Sequence, residues 1–224
     1  MGSAFLIGAG GLGVAAAEAL ALGGVARLTA ADPDEVALSN LHRQACYTLD
    51  DVGRPKAERL GAYLASLRSD LVFTPLPLRL KSVEALVAAA AGHDILLDGS
   101  DNAATRFAAN DAALALGIPL VHGAALGLRG QVMTILPGIT ACLRCLFESP
   151  PEAEGPVCRD AGVLGPLAGE IGWRMGLEGI KLLRGEGRGL PSVGRMTTVD
   201  LNRGRRRVVE VGRRPDCLCQ NTGS

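Results

Sequence analysis

The stretch Ala4-Phe5-Leu6-Ile7-Gly8-Ala9-Gly10-Gly11-Leu12-Gly13 decides the fold of this chain of 224 residues. Its four leading apolar residues predict a short buried strand, and the alanine- and leucine-rich residues up to Leu22 predict a helix. Glycines between a strand and a helix permit a tight turn, a close approach of backbone to phosphate, and contact of the helix with the strand. Asp32 follows Gly13 by 19 positions, where a carboxylate can accept hydrogen bonds from ribose hydroxyls. The stretch therefore predicts a nucleotide-binding unit.

Strands and helices alternate through residues 1–124. Such alternation indicates parallel βαβ units with right-handed crossovers, and hence a doubly wound sheet covered on both faces. The segment from Pro33 to Val52 is polar and is predicted as loop with one turn of helix. The predicted strands are Ala4–Ile7, Arg27–Ala31, Val72–Leu78, Ile95–Asp98 and Leu120–Gly123, and the predicted helices after the first are Lys56–Ser69, Val83–Ala91 and Ala104–Leu116.

The pattern changes after residue 124. Gly130–Leu136, Arg195–Asp200 and Arg206–Val211 read as strands, with a helix near Pro166–Arg184 between the first two of them. The fold class is therefore α/β, with a Rossmann-like, mainly parallel sheet and an appended antiparallel C-terminal sheet. We predict a single domain over residues 1–224. It consists of a nucleotide-binding half (1–124), a second half (125–219) that binds a partner and zinc, and a short tail (220–224).

Composition excludes several classes of protein. Twenty-three basic residues balance twenty-three acidic ones, so the chain has no broad positive field with which to hold nucleic acid or an anionic membrane surface. No run of about 18 apolar residues predicts a transmembrane helix. The N-terminus lacks the positive leader of a signal peptide, so the expected location is the cytoplasm.

Three further strings carry the functional information. They are Asp32-Pro33-Asp34-Glu35-Val36-Ala37-Leu38-Ser39-Asn40-Leu41-His42-Arg43-Gln44, Gly53-Arg54-Pro55-Lys56 and Asp98-Gly99-Ser100-Asp101-Asn102. Together with the glycine turn, they resemble the adenylyltransferases that activate ubiquitin-like sulfur-carrier proteins. This is the MoeB/ThiF/HesA type, which is related to ubiquitin-activating enzymes, and the resemblance runs from about Phe5 to Cys219.

The resemblance implies a reaction and a set of site residues. Joining the C-terminal glycine of a carrier to AMP requires attack on the α-phosphate of ATP while pyrophosphate leaves, so cations must gather there. Arg43 and Lys56 are expected to contact the triphosphate, and Asp101 to ligate a bridging Mg²⁺. Asp34 and Asn102 are weaker candidates, because Asp or Asn at such turns often caps the next helix. The remaining nucleotide-binding candidates are Gly8, Gly10, Gly11, Gly13, Asp32, Asn40 and Gln44.

Six cysteines include two close pairs, Cys142-Leu143-Arg144-Cys145 and Cys217-Leu218-Cys219. Four thiolates can form a closed tetrahedral zinc site, which would be structural because no coordination position stays open. The family normally has two residues between the cysteines of the second pair, whereas this chain has one, and an empty or partly oxidised site is the alternative. Cys46 is expected to be a buried, unreactive side chain.

Cys158 follows a polar segment, Pro150–Gly155, that we predict to be a mobile loop. The family places a cysteine at this position, where in some relatives it takes up sulfur or forms a covalent link with the carrier. We therefore include Cys158 among the catalytic candidates. His93 and His122 flank strands and are expected to be core or loop residues with satisfied hydrogen bonds. Trp173 is expected to pack in the core or between subunits.

The sequence thus predicts an ATP-dependent adenylyltransferase for a small ubiquitin-like (β-grasp) sulfur carrier in molybdopterin, thiamine or related biosynthesis. A homodimer is expected, and a separate sulfur donor, because no sulfurtransferase segment follows Cys219. Relatives usually begin with a helix whose arginine reaches the neighbouring subunit's nucleotide, but this chain enters its first strand by Ala4. Two alternatives are an NAD-linked oxidoreductase with the same glycine turn and a catalytically silent carrier-binding relative.

Overall fold

The computed structural model describes residues 1–150, 162–186 and 193–220. Eight strands form one sheet in the order β3-β2-β1-β4-β5-β6-β7-β8. The strands are β1 (Ser3–Ile7), β2 (Arg27–Ala31), β3 (Val72–Leu76), β4 (Ile95–Asp98), β5 (Leu120–Leu126), β6 (Arg129–Ile135), β7 (Arg195–Asp200) and β8 (Arg205–Glu210). The helices are α1 (Gly11–Leu22), α2 (Lys56–Leu67), α3 (Val83–Ala90), α4 (Ala103–Leu116), α5 (Leu143–Leu146) and α6 (Gly165–Leu183).

The first five strands in the sheet order are parallel, and β6 to β8 are antiparallel to their neighbours. The predicted fold class is therefore confirmed, and the antiparallel strands continue the parallel sheet instead of forming a second one. Leu120 to Leu126 stays in one strand that pairs in parallel with β4 and antiparallel with β6. This strand is where the two halves of the sheet join.

The register brings the ends of three strands to one edge. Ile7 at the end of β1 pairs with Ala31 of β2 on one side and with Asp98 of β4 on the other. Polar residues that follow these strands therefore meet at the carboxyl edge of the sheet, which is where α/β folds bind their ligands. The glycine turn, Asp32 and the turn after Asp98 all lie at this edge.

Apolar residues cover both faces of the parallel strands. On one face, α1, α2 and α6 pack through residues such as Leu20, Leu60 and Ile171, and on the other α3 and α4 pack through Leu86 and Ala109. Small residues let α6 lie directly on α1: a methyl group on Gly172 would lie 2.2 Å from the Leu12 carbonyl oxygen. The strand β8 at the other edge of the sheet is not covered in this way, since each of its residues is exposed.

The polar segment after β2 contains two short 3₁₀ helices, Leu38–Arg43 and Leu49–Asp51, instead of the single helical turn that we predicted. The predicted loop at 150–155, apart from Pro150, lies outside the described residues, as do Cys158 and residues 221–224 of the tail. Among the helices described, none has the length and apolar character needed to cross a membrane.

Candidate functional site

The glycine turn links β1 to α1 through contacts that only glycine allows. Gly8 has a φ of +91°, and a methyl group on Gly13 would lie 1.8 Å from the Gly8 carbonyl oxygen. Gly10 is the N-cap residue of α1, and no side chain in the described part of the chain caps this helix. Its first backbone N–H groups and positive dipole end are therefore available to an anion such as phosphate.

Asp32 fixes this turn from the end of β2. Its Oδ2 accepts a hydrogen bond of 2.6 Å from the backbone N–H of Ala9, and its Oδ1 accepts one of 2.8 Å from that of Asp34. Burial raises the pKa of Asp32, while the positive charge of Lys56 and the two backbone bonds oppose that rise. The predicted ribose-binding carboxylate is thus held beside the glycine turn, with further lone pairs that a hydroxyl group can use.

Lys56 begins α2 and is only 5% exposed. Its Nζ lies 3.2 Å from Oδ2 of Asp34, and its backbone N–H donates to the Asp34 carbonyl oxygen at 2.9 Å. The exposed guanidinium of Arg79 lies 3.3 Å from the other carboxylate oxygen of Asp34. Asp34 therefore orients two cations at the carboxyl edge of the sheet. The sequence did not indicate a role for Arg79, because this residue lies in no recognised motif.

Tyr47 ties the glycine turn to α2. Its hydroxyl donates to the Ala9 carbonyl oxygen at 2.8 Å and also lies 3.2 Å from the carbonyl oxygen of Lys56. Burial raises the pKa of this phenol, so it stays a hydrogen-bond donor. The role of Tyr47 was not predicted, since a single tyrosine in a polar segment carries no recognisable pattern.

Gln44 lies against the same turn. A methyl group on Gly10 would lie 3.6 Å from its Nε2, and its buried Oε1 has no hydrogen-bond partner among the described residues. Buried polar atoms in native proteins nearly always have partners. An unpartnered oxygen beside an open helix N-terminus fits a site that a polar ligand completes.

Arg43 ends the first 3₁₀ helix, which packs on the start of α1. Its Nη2 donates to Oδ1 of Asn40 at 2.7 Å. A methyl group on Gly11 would lie only 2.9 Å from the backbone carbonyl oxygen of Arg43. Gly11 therefore permits this close packing. Arg43 and Asn40 lie together beside the glycine turn, and no direct bond joins Arg43 to Lys56 in the part of the chain that is described.

The turn after β4 approaches the glycine turn from the opposite side. A methyl group on Gly8 would lie 3.0 Å from the carbonyl oxygen of Gly99. Asp101 is exposed, whereas the side chain of Asn102 accepts a hydrogen bond of 2.9 Å from the Thr105 backbone N–H and caps α4. Oδ1 of Asp101 accepts a hydrogen bond of 3.5 Å from Nδ2 of Asn102, and the carboxylate remains exposed where it can meet a cation. Asn102 has the capping role that made it a weaker candidate.

The four cysteines of the two pairs lie together, as the sequence predicted. Their sulfur atoms are all within 4.8 Å of one another, and the closest cross-pairs, Cys142 with Cys217 and Cys145 with Cys219, are 3.5 Å apart. A tetrahedral zinc ion with Zn–S bonds of about 2.3 Å separates its sulfur ligands by about 3.8 Å. These distances fit a metal ion and are far longer than a disulfide bond of about 2.05 Å.

The short spacer in the second pair is accommodated by the local backbone. Cys219 lies in a 3₁₀ turn, Leu218–Gln220, and the Arg213 guanidinium donates to the carbonyl oxygens of Cys219 and Gly138 at 2.7 and 2.9 Å. Burial raises the pKa of the Cys219 thiol to about 11. A metal ion held here would therefore displace protons on binding. The donor set is closed and sulfur-only, which fits structural zinc.

Cys46 is buried, as predicted, and burial raises the pKa of its thiol to about 12, so it is a poor nucleophile. His93 bonds to Thr29 and Ala90, at 2.9 and 3.1 Å, and His122 bonds to Asp98. The expectation that both histidines are satisfied is therefore confirmed. The buried partner of His122 was not predicted, because it is 24 positions away in the sequence.

Comparison with known proteins identifies the family. The model of the ThiF family matches residues 2–221. The chain belongs to the ThiF family. A member from Haloferax volcanii, the SAMP-activating enzyme E1, is 41% identical over 222 residues, which cover 97% of this chain and 80% of that protein. The sulfur carrier protein ThiS adenylyltransferase of Escherichia coli is 45% identical over 181 residues, covering 80% of this chain and 71% of that protein.

Solved structures agree on the ThiF-like fold. The crystal structure of E. coli MccB with ATP superposes with a TM-score of 0.85 at 19% identity, covering 98% of this chain and 66% of that one. This likeness concerns the fold alone, and this chain spans about two thirds of the length of that structure. The names of the two sequence relatives agree with the resemblance drawn from the motifs, and neither of the two is an oxidoreductase.

Proposed function

We propose that the protein is an ATP-dependent adenylyltransferase that activates the C-terminal glycine of a ubiquitin-like sulfur-carrier protein. One observation carries the proposal: the nearly buried ammonium group of Lys56 lies at the carboxyl edge of the sheet, paired with Asp34 and close enough to Asp32 to influence its pKa. A buried cation beside the open N-terminus of α1 suits a polyphosphate. Membership of the ThiF family adds the reaction class.

The proposed reaction needs charge stabilisation and no protein nucleophile. A carboxylate oxygen of the carrier attacks the α-phosphorus of ATP, the bond from that phosphorus to the bridging oxygen breaks, and pyrophosphate leaves with the electron pair. The carboxylate is already ionised near neutral pH, so no general base is required. Lys56 and Arg43 would offset the charge that builds on the leaving group. The backbone N–H groups of Gly11 and Gly13 contribute at the start of α1.

The nucleotide itself would be held by the groups around the glycine turn. Asp32 accepts hydrogen bonds from the ribose, and Asn40 and Gln44 position the phosphates and sugar, with the unpartnered Oε1 of Gln44 accepting from the ligand. The exposed carboxylate of Asp101 would hold Mg²⁺, which would supply positive charge to offset that of the phosphates. Close backbone approach at Gly8 and Gly10 leaves room for the phosphate chain.

The second half of the chain would provide stability and partner contacts. We propose that Cys142, Cys145, Cys217 and Cys219 hold a structural zinc ion, which ties the C-terminal residues to the start of α5. From the family resemblance, Cys158 is proposed as the thiol that attacks the acyl adenylate, forming a thioester with the carrier and releasing AMP, or that accepts sulfane sulfur from the persulfide of a separate donor, whose thiol leaves. The exposed antiparallel strands would contact the carrier protein. Close thiol pairs of this kind are typical of the reducing cytoplasm.

The carrier belongs to the class that ThiF-family relatives name, which includes ThiS and SAMP. Molybdopterin, thiamine and related sulfur-transfer routes all use carriers of this chemistry. We further propose a homodimer through the outer face of α6. Trp173 and Leu177 lie one turn apart on this helix and are 38% and 48% exposed, so together they offer an apolar patch to a second copy of the chain.

Exchange of radiolabelled pyrophosphate into ATP tests the proposal. We expect exchange that depends on one member of a panel of sulfur carriers ending in Gly-Gly, and on Mg²⁺. Lys56→Met should lower the exchange rate about 100-fold or more, by the loss of a pre-organised charge. The matched control is Lys81→Met, which removes an exposed lysine and should leave the rate unchanged. ATP binding without exchange for any carrier would favour the silent binding relative instead.

A further inference from the structure

His122 and Asp98 form a buried polar pair at the carboxyl edge of the sheet. They are directly opposite each other on the parallel strands β5 and β4, and the Nδ1 of His122 lies 2.8 Å from Oδ2 of Asp98. The side chain of Asp98 is 0% exposed and that of His122 is 2% exposed. The proposed reaction assigns no role to either residue.

The other oxygen of Asp98 holds the turn that follows β4. Oδ1 accepts a hydrogen bond of 3.0 Å from the backbone N–H of Ser100. The carbonyl oxygen of Ser100 is also held, because it accepts two hydrogen bonds, of 3.2 and 3.3 Å, from the guanidinium of Arg106. The peptide groups of Ser100 are therefore fixed from both sides, and Asp101 follows directly.

Asp101 is held on its other side by Asn102, which caps α4 through the Thr105 backbone N–H. The exposed carboxylate of Asp101 thus lies between two anchored residues, and the preceding Gly99 carbonyl oxygen lies against Gly8 of the glycine turn. A shift of the turn by one ångström would move the carboxylate away from a cation held at the site. Such misplacement is enough to impair catalysis strongly.

Asp98 can hold Ser100 in this way only while its own charge is compensated. An ionised carboxylate in a fully buried position is unstable unless it is paired and hydrogen-bonded. His122 donates a hydrogen bond of 2.8 Å to Oδ2 of Asp98, and the Arg106 guanidinium adds a positive charge nearby. Without His122, Oδ2 would be left buried and unpaired, so the carboxyl group would shift or take up a proton more readily, and the acceptor for the Ser100 N–H would be weakened.

We propose that His122, acting through Asp98, is a positioning residue for the turn Gly99–Asp101 and thereby for the cation-binding carboxylate of Asp101. This inference rests on the proposed function for the identity of the cation, Mg²⁺ bound with ATP. The hydrogen-bond chain itself, from His122 through Asp98 to Ser100, is independent of that assignment. An ordinary buried pair stabilises only the fold, whereas the pair of His122 and Asp98 would also fix the position of the exposed carboxylate of Asp101.

Two variants of matched polarity test the proposal. In His122→Asn, the amide nitrogen can occupy the place of Nδ1 and donate to Asp98, whereas in His122→Gln the amide lies one bond further out, near the place of Nε2. His93→Asn is the control, because it replaces a histidine that bonds to Thr29 and Ala90 at another point of the fold. Thermal unfolding of all three variants verifies that each is folded.

The first measurement is amide hydrogen exchange of residues 99–101, which requires neither ATP nor a carrier. We expect the Ser100 amide of His122→Gln to exchange about tenfold faster than that of the wild type, because it loses a hydrogen bond to a charged acceptor. His122→Asn and His93→Asn should exchange at the wild-type rate. Equal protection in all four proteins, or equal loss in the two His122 variants, would overturn the proposed chain of hydrogen bonds.

The second measurement is equilibrium binding of a non-hydrolysable ATP analogue, titrated with and without Mg²⁺. His122→Gln should weaken the Mg²⁺-dependent part of binding about tenfold and leave Mg²⁺-free binding unchanged. In pyrophosphate exchange, the same variant should raise KM for Mg·ATP while the affinity for the carrier is unaltered. His122→Asn should restore both properties to within about threefold.

Failure of this inference and failure of the proposed function give different results. If the wild type catalyses exchange and His122→Gln binds Mg·ATP normally, the positioning role is wrong and the function stands. If the wild type binds Mg·ATP but no carrier supports exchange, the function is wrong, and altered Mg²⁺-dependent binding in His122→Gln alone still supports the positioning role. A wild type that binds no Mg·ATP contradicts both.

Discussion

The backbone N–H of Ala9 donates a hydrogen bond of 2.6 Å to Oδ2 of Asp32, so the glycine turn and the acidic residue at the end of β2 form one unit. The two residues are 23 positions apart but directly follow the ends of two neighbouring parallel strands, since Ile7 pairs with Ala31. The carboxylate thus fixes the turn before any ligand arrives. A nucleotide would find the helix N-terminus and the ribose acceptor already aligned.

Replacement of Gly13 by alanine tests the packing of this unit. The added methyl group would lie 1.8 Å from the Gly8 carbonyl oxygen, and this backbone atom cannot move aside without distorting the glycine turn. We expect Gly13→Ala to lower the free energy of unfolding by about 3 kcal/mol or more, measured by chemical denaturation. The control is Gly169→Ala in α6, where no atom lies within 4 Å; it should stabilise the protein by about 0.5 to 1 kcal/mol. Similar stabilities for the two variants would contradict the model of the turn.

Asp101→Ala should abolish Mg²⁺-dependent exchange without unfolding the protein. The side chain is exposed at the end of the turn, so its removal deletes a cation ligand and leaves no buried group unpaired. We expect an exchange rate at least about 100-fold lower and an unchanged melting temperature. Asp50→Ala removes another exposed carboxylate and should behave as the wild type does. Wild-type exchange by Asp101→Ala would refute the assignment of this residue.

Purified protein should contain about one zinc ion per chain, detected by elemental analysis. Cys142→Ser should lose the ion and lower the melting temperature, because the buried sulfur ligands hold the C-terminal residues to the sheet. Cys46→Ser is the control, since Cys46 is buried elsewhere in the core and should not affect zinc content. Metal-free wild-type protein with the same stability as Cys142→Ser would show that the four thiols are not a zinc site.

Asp51 should contribute to stability in a pH-dependent way. The backbone N–H and hydroxyl of Thr48 bond to Oδ2 of Asp51 at 2.9 and 3.0 Å, and Arg59 pairs with the other oxygen. These interactions, the backbone bond above all, hold the pKa of Asp51 below its usual value. Its ionised form therefore stabilises the fold above about pH 3.9, and this contribution is lost as the pH falls through the lowered pKa.

The matching experiment compares Asp51→Asn with the wild type by denaturation across pH 7 to pH 3. At pH 7 the variant should be less stable by about 1 kcal/mol, and the difference should shrink as the pH falls below about 4. Asp50→Asn, at the exposed neighbouring position, should give a curve close to that of the wild type. A difference that stays constant with pH would show that ionisation of Asp51 is not the source of the effect.

Much of the fold could be predicted from local pattern. The strand at Ala4–Ile7, the glycine turn and the alternation of strands and helices follow from hydrophobic periodicity and from the restricted places where glycine is needed. The pairing of the two cysteine pairs was also predictable, because four thiols with short spacers suit one metal ion. The number of sheets could not be predicted. Antiparallel strands extend a parallel sheet only if the chain returns to an open edge of that sheet, and local sequence does not show to which edge it returns.

The site shows the same division. The spacing after the glycine turn indicated Asp32, and the resemblance of three further strings to a known family implied Arg43, Lys56 and Asp101. Only the tertiary structure decided that Asp34 pairs with Lys56, that Tyr47 joins the turn to α2, and that His122 lies opposite Asp98. Those contacts depend on which strands are neighbours and on which side chains are buried together. Neither property is local, so the sequence determined the chemistry available and the folded sheet decided which groups hold it in place.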